Sequence, residues 1–221
     1  MKVIEFYKNI HRDKDFVIFG SGPSLLKWDD KFIDAIKIGC NGVFLHKANL
    51  DYHFVQDSGK INNNETCYLK NQDLYNSYQP NIAKFYGGVF LGGRLTPQSM
   101  TEEFCDNANA IRYIMSLDKN DYHQLDTLPI CEWGNVIFSC IQFAIFAGAK
   151  RIIIAGCDVS NNIRLGESEE HNCYKQDNLI EIWKNFINIY NSFCSSESRN
   201  ISIECFQPLG LKDTLNEFKV K

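Results

Sequence analysis

The 221-residue sequence has no excess of positive charge: 23 Lys and Arg stand against 27 Asp and Glu, a formal net charge of −4. Without a broad basic face, a protein that binds nucleic acid through electrostatics is not expected. An anionic ligand would have to be met by local donors, such as backbone N–H groups and a few cationic side chains. We therefore expect no nucleic acid among the partners.

Long apolar runs are also missing, and no run reaches the length of about 20 residues that a membrane span needs. The first residues, MKVIEFYKNIHRDKD, are too charged for a signal peptide. The last residues, LNEFKVK, are short and mixed in charge, so they predict at most a peripheral contact with a membrane. We expect a cytoplasmic protein, with the inner face of the membrane as the alternative location.

Several motifs of common active sites are absent. The nine cysteines are odd in number and form no C-x-x-C pair, which argues against a zinc site or a disulfide framework and favours buried, reduced thiols. There is no G-x-S-x-G elbow and no H-E-x-x-H helix, so neither a serine hydrolase nor a zincin is supported.

The apolar patterning predicts an α/β protein. Short apolar runs that read as strands are DFVIFG, KIGCN, LDYHFVQD, TCYLK, NIAKFYG, KRIIIAGCD and ISIECF. Helical spacing is found in residues 25–36, 101–115, 134–149 and 178–193. This order predicts a single Rossmann-like domain over residues 1–221, with a mostly parallel sheet, helices on both faces, and a small lid or insertion around residues 87–129.

Polar residues follow several of these strands, and ligands of such folds bind outside the carboxyl ends of the strands. The first strand ends in Gly20-Ser21-Gly22, the second in Asn41, the third in Asp57, and the KRIIIAG strand in Asp158. A parallel sheet would gather these residues on one edge.

The glycine turn has the composition of a phosphate cradle. Gly20 and Gly22 permit unusual backbone angles and close approach of a ligand. Pro23 suits the first turn of a helix, and the free N–H groups around Ser24 would attract an anion. The alternative is an ordinary strand–helix turn that needs glycine.

The other strand-end residues each allow two interpretations. Asn41 could bind a base, a ribose or a carboxylate, or could form a turn with Gly42. Asp57 could bind Mg²⁺ or a ribose hydroxyl, or could cap a helix. Asp158 could contact a nucleotide, or could hold the loop that follows it.

The polar loop SNNIRLGESEEHNCYKQD is 18 residues long, and loops of this length are often functional. His171 lies beside Glu169 and Glu170, which would raise its pKa and suit it to act as a general base. Tyr174 is a candidate to assist a phosphate or leaving group. A solvated loop histidine is the simpler alternative.

Four segments together resemble a known family: VIFGSGPSL, IGCN, GNVIFSCIQFAIFAGAKRIIIAGCDVS and the histidine loop. They are similar to the glycosyltransferase family 42 sialyltransferases of mucosal bacteria. They are also similar to the related superfamily with archaeal 6-hydroxymethylpterin diphosphokinases and flagellin glycosylation proteins. The shared features are G-x-G-P-S-L and a later helix–strand unit, with Gly148, Lys150, Gly156 and Asp158 in register. They cover about a third of the chain.

The resemblance implies roles for individual residues. Asn41 would contact the nucleotide together with Gly134, Gly156 and Asp158, and His171 would be the general base. Ser21 stands where the sialyltransferases have Asn, and Glu132-Trp133 precede Gly134 where they have Thr-Ser. Two family tyrosines that assist the leaving phosphate have no clear match, so Tyr174 is a substitute candidate.

The activity implied is transfer of a sugar from a nucleotide donor, with a CMP-linked nonulosonic acid as the expected donor, in the synthesis of lipopolysaccharide or capsule. The partners would be this donor and a glycan acceptor, and the resemblance also suggests a homo-oligomer. No cofactor would be required. The alternatives are a diphosphokinase that binds Mg²⁺–ATP through Asp57 and Asp158, and a nucleotide-binding protein without catalysis.

Overall fold

A computed structural model describes residues 4–47, 49–56, 82–91, 94–95, 102–116, 125–128, 130–131, 135–159 and 176–220. The strands are β1 Lys14–Phe19, β2 Ile36–Cys40, β3 Tyr52–Val55, β4 Ala83–Leu91, β5 Arg94–Leu95, β6 Ala110–Ser116, β7 Ile130–Cys131, β8 Ala149–Ala155, β9 Ser202–Cys205 and β10 Asn216–Glu217. The α-helices are α1 Glu102–Asn107, α2 Val136–Phe146 and α3 Gln176–Ser196. Short 3-10 helices cover Ile4–Tyr7, Pro23–Lys27, Asp30–Phe32, Asn41–Leu45 and Leu209–Leu211.

The strands form one sheet in the order β10-β9-β8-β1-β2-β3-β4-β6-β7, and every pair of neighbours along it is parallel. Only β5, which pairs with β4 outside this path, is antiparallel among the described strands. The chain proceeds from β1 in one direction as far as β7 and then returns to β8 on the other side of β1. The predicted Rossmann-like α/β class is confirmed, and its topological switch point lies between β1 and β8.

One face of the sheet is covered by α2, in which all eleven residues are buried. The ring of Phe138 lies 4.7 Å from the rings of both Trp183 and Phe186, so α3 packs on α2 through aromatic contacts. Continuous apolar sequence in α2 follows from this position between a sheet and another helix. In the described part of the chain, no helix combines the length and apolar character needed to cross a membrane.

The other face carries α1 and short 3-10 helices around an aromatic cluster. The ring of Trp28 lies 5.3–6.0 Å from the rings of Phe19, Phe32, Phe206 and Phe218. These residues come from both ends of the chain, so the cluster joins the segment after β1 to the segment after β9.

The prediction of one helix over residues 25–36 is wrong. The chain forms two 3-10 helices there, separated by Trp28 and Asp29 in extended conformation. The side chain of Asp29 accepts a hydrogen bond from the backbone N–H of Lys31 at 2.9 Å, which starts a new helix and ends the old one.

The prediction of a helix over residues 101–115 is wrong in its second half. Residue 101 lies outside the described residues, and α1 ends at Asn107. Asn109 then takes a left-handed conformation, with φ at 50°. The following residues form β6, which pairs with β4. Ile111 and Tyr113 lie two residues apart and therefore on the same face of this strand.

The predicted lid or insertion around residues 87–129 is described only in pieces. Two of those pieces, the end of β4 and the whole of β6, belong to the main sheet. The insertion therefore stays a prediction. The predicted strand TCYLK falls outside the described residues.

The N-terminal segment closes the carboxyl end of α2. A helix leaves its last carbonyls without partners inside the helix. Here backbone N–H groups 2.9–3.0 Å away donate to three successive carbonyls: Asn9 to Phe146, His11 to Ala147, and Asp13 to Gly148. The residues before β1 thus fix the end of α2 relative to the sheet.

Gly148 is required by this closure, because its φ is +98° and an added Cβ would lie 2.9 Å from the Cα of Arg12. We expect Gly148→Ala to lower the free energy of unfolding by roughly 1–3 kcal/mol, measured by urea denaturation. Gly42→Ala is the matched control, since a Cβ there meets nothing within 4 Å. Equal stability of the two variants would contradict the role assigned to Gly148.

Candidate functional site

Three neighbouring strands end at the switch point. In the sheet register Phe19 of β1 pairs with Ala155 of β8 and with Gly39 of β2. The turns that follow these strands therefore begin side by side, at Gly20, Gly156 and Asn41. The predicted gathering of polar strand ends is confirmed for these three strands. His171, Tyr174, Asp57 and Gly134 lie outside the described residues, and their roles stay predictions.

The turns after β1 and β8 meet at backbone distance. A Cβ on Gly156, whose φ is +75°, would lie 2.2 Å from the carbonyl oxygen of Gly20. A Cβ on Gly20 would lie 2.5 Å from the carbonyl oxygen of Gly156, which accepts a hydrogen bond from the Gly22 N–H at 2.7 Å. Contact between the two turns is thus sufficient to explain these glycines.

Asp158 ties the two turns together. Its side chain is buried, and Oδ2 accepts a hydrogen bond from the backbone N–H of Ser24 at 2.8 Å. A Cβ on Gly22 would lie 2.8 Å from the same oxygen, so Gly22 makes room for the carboxylate. Asp158 therefore holds the start of the 3-10 helix Pro23–Lys27, where the sequence suggested a phosphate.

Two buried polar atoms at this junction have no hydrogen-bond partner within the described ranges: Asp158 Oδ1 and Ser24 Oγ. Such atoms are uncommon in a folded protein because a buried polar group that forms no hydrogen bond costs about 1–3 kcal/mol. The junction therefore has hydrogen-bonding capacity that the described residues do not use.

Exposure divides the predicted contact residues into two groups. Gly20, Ser24, Gly156 and Asp158 are buried, whereas Ser21, Gly22, Pro23 and Asn41 are partly or fully exposed. The exposed group can reach a ligand directly, and the buried group can act by holding the turns.

The amino end of α2 adjoins the glycine turn. Ile137 Cδ1 would lie 3.1 Å from a Cβ on Gly20. Asn135 is the N-cap of α2, and its side chain accepts a hydrogen bond from the Ile137 N–H at 3.0 Å. This helix end brings a partial positive charge to the switch point. Asn135 was missed in the sequence, although an Asn directly before a long apolar helix is an N-cap signal.

The turn after Asp158 is strained. Val159 has a φ of +44°, which a β-branched residue rarely adopts. The Gly210 N–H donates to the Asp158 carbonyl at 2.8 Å, and a Cβ on Gly210 would lie 2.1 Å from the Val159 carbonyl oxygen. The C-terminal segment therefore holds this turn in place, at an edge of the sheet where strain is often functional.

The backbone of Asn41 forms a hydrogen bond with a histidine that the sequence did not reveal as a site residue. Asn41 has a φ of +50°, and its carbonyl accepts a hydrogen bond from His53 Nε2 at 2.7 Å. His53 is buried in the middle of β3. Burial lowers the pKa of His53, the hydrogen bond to Asn41 opposes this effect, and nearby Lys84 adds to it, so that the pKa lies at about 4. The imidazole is therefore neutral near pH 7, and its donation to a carbonyl places the proton on Nε2.

Several buried cysteine thiols lie in the core next to the strand ends. Cys40 Sγ and Cys140 Sγ lie 3.4 Å apart, and both residues are buried. Burial raises the pKa of the Cys140 thiol well above its ordinary value, which makes it a poor nucleophile. The predicted buried, reduced thiols are confirmed for Cys40, Cys105, Cys140, Cys157 and Cys205.

No protein-family model matches the sequence, and no curated protein matches it in sequence. The structure is similar to that of a mutant of the α-2,3/8-sialyltransferase CstII, with a TM-score of 0.50 and 16% identity over 94% of this chain and 88% of that one. It is equally similar to the sialyltransferase CstII in complex with a trisaccharide acceptor and CMP, with a TM-score of 0.50 and 17% identity over 94% and 87%. CstII is a protein of Campylobacter jejuni. At this level of identity the similarity shows a shared fold.

Removal of the Asp158 carboxylate should destabilise the junction. Asp158→Ala leaves the buried Ser24 N–H without its acceptor, so we expect a loss of about 1–3 kcal/mol in the free energy of unfolding. Asp158→Asn is the matched variant, because its amide oxygen can still accept this hydrogen bond, and it should lose less. Urea denaturation distinguishes them. Equal stability of Asp158→Ala and the original chain would contradict the stabilising role of the hydrogen bond between Ser24 and Asp158.

Acid should destabilise the protein through His53. Its folded pKa, about 4, lies below the ordinary histidine value of 6.5, so the unfolded chain binds more protons between these values. The contribution of His53, on the order of 3 kcal/mol, is complete above pH 6.5 and is lost as pH falls toward 4. The groups that face the ring are Lys84 and Tyr86 of β4 and Phe44.

The measurement is urea denaturation across this pH window. His53→Gln, which does not titrate, should show a smaller loss of stability than the original chain. Carboxylates also titrate there, so the difference between the two proteins is the relevant quantity. Parallel losses in both proteins would show that His53 does not carry the effect.

Proposed function

We propose that this chain is a glycosyltransferase that uses a nucleotide-activated sugar, with a CMP-linked nonulosonic acid as donor, in the synthesis of a bacterial surface glycan. The observation that carries the proposal is the junction of β8, β1 and β2, where a glycine turn and Asn41 lie side by side at the switch point. The similar structure of CstII was solved with CMP and a trisaccharide acceptor, and its fold is shared by this chain.

The accessible residues would bind the nucleotide. Ser21 offers a hydroxyl on one strand end, and Asn41 offers an amide on the next. Since neighbouring strands lie about 5 Å apart, one nucleoside could contact both groups. Gly20, Gly156 and Asp158 would keep the two turns in register.

The donor phosphate would lie toward the amino end of α2. The start of the 3-10 helix Pro23–Lys27 is already occupied, because the Ser24 N–H donates to Asp158. The α2 end carries the partial positive charge of an eleven-residue helix beside the glycine turn. Gly134, directly before this end in sequence, would let the phosphate approach the backbone.

The chemical step would use residues of the polar segment that precedes α3 in the sequence. His171 would take the proton from an acceptor hydroxyl as its oxygen forms a bond with the anomeric carbon of the donor sugar. The bond from that carbon to the phosphate oxygen breaks, and CMP leaves with the electron pair. Tyr174 would donate a hydrogen bond to the leaving phosphate. This scheme requires no metal ion, whereas the diphosphokinase alternative requires Mg²⁺.

Thermal unfolding with CMP, and separately with ATP and Mg²⁺, tests the nucleotide assignment. Saturation with CMP in the absence of metal should raise the melting temperature, because a ligand at about 100 times its Kd stabilises the folded state by about 2.7 kcal/mol. Stabilisation by Mg²⁺–ATP alone would support the diphosphokinase. No response to either nucleotide would remove the nucleotide-binding proposal.

The catalytic assignment is tested by His171→Ala. We expect transfer from CMP-N-acetylneuraminic acid to a lactoside acceptor to fall by about 10²–10⁴-fold, the usual contribution of a general base, while the affinity for CMP stays within about twofold. His11→Gln is the control, since His11 bonds to Tyr52 at the amino edge of the sheet. Unchanged turnover in His171→Ala would exclude it as the base.

A further inference from the structure

The hydrogen bond from His53 to Asn41 connects the interior of the sheet to the candidate nucleotide site. We propose that His53 is a positioning residue for nucleotide binding: it fixes the left-handed turn at Asn41 and thereby the placement of the Asn41 side chain at the strand end. The inference rests on the proposed function, in which Asn41 contacts the nucleotide.

The turn at Asn41 needs such a support. Asn adopts the left-handed region more readily than most residues, but it still prefers a negative φ. Asn41 also begins the 3-10 helix Asn41–Leu45 directly after β2, so its peptide plane sets the course of the chain at the sheet edge. A donor at 2.7 Å from its carbonyl oxygen favours the observed orientation of that plane over its alternatives.

His53 is suited to this role because it cannot move easily. Its side chain is 1% exposed, and its ring lies 5.5 Å from the Phe44 ring and 6.1 Å from the Tyr86 ring. Lys84, its register partner on β4, is buried as well. The ring is therefore a rigid donor, and rigid support of a contact residue increases the precision of a binding site.

His11 offers a matched comparison within the same sheet. It is half-buried and its Nε2 lies 2.5 Å from the hydroxyl of Tyr52, the residue next to His53 in β3. This contact lies at the amino edge, away from the strand ends that form the site. Loss of either histidine contact should reduce stability, but only the loss of the His53 contact should reduce nucleotide affinity.

Isothermal titration calorimetry with CMP on the full chain tests the inference. His53→Phe removes the donor and should weaken CMP binding about tenfold, the equivalent of one lost hydrogen bond. His53→Gln can place an amide nitrogen near the Nε2 position, so its affinity should stay within about threefold of the original. His11→Phe should bind CMP as the original chain does. Unchanged CMP affinity in His53→Phe would overturn the inference.

A second measurement covers the case in which His53→Phe does not fold. In the original chain labelled with ¹⁵N-histidine, saturating CMP should shift the Nε2 resonance of His53 and leave that of His11 in place. A His53 resonance that does not respond would overturn the inference by itself. Failure of the original chain to bind CMP would instead overturn the proposed function, and the positioning role with it.

Discussion

The contact between the turns that leave β1 and β8 determines where the glycine turn and Asp158 lie, and Asn41 follows the neighbouring strand β2. Gly20 and Gly156 approach so closely that a side chain on either would meet the backbone of the other. The bond from Ser24 to Asp158 closes the same junction from the side. Because β1 and β8 are the strands on which the chain reverses its direction across the sheet, this contact lies at the topological switch point, where ligands of such folds bind.

Helix α2 extends this constraint through the molecule. Its amino end adjoins the glycine turn, and its carboxyl end is closed by the residues before β1. The segment that leads into β1 and the turn that leaves it therefore contact opposite ends of one buried helix. Displacement of α2 would disturb both, so burial of its eleven residues stabilises the site as well as the core.

The sequence predicted those parts of the fold in which local pattern and burial agree. Apolar runs identified β1, β8 and α2, and the glycine turn marked the site edge. Residues 25–36 and 101–115 were misassigned because single residues end a helical pattern: Asp29 caps a new turn, and Asn109 turns left-handed. His53 could not be recognised, because its role depends on the pairing of β2 with β3.

The position of Asp158 bears on the departure from the sialyltransferase motif at Ser21. A phosphate at the start of the 3-10 helix Pro23–Lys27 would lie close to the Asp158 carboxylate, and two like charges about 4 Å apart repel by about 4 kcal/mol near a protein surface. Neutral groups of a nucleotide meet no such repulsion. A hydroxyl at Ser21 both donates and accepts hydrogen bonds, as a ribose hydroxyl does. Under the proposed function, the glycine turn would therefore bind the nucleoside, and the phosphate would lie at α2.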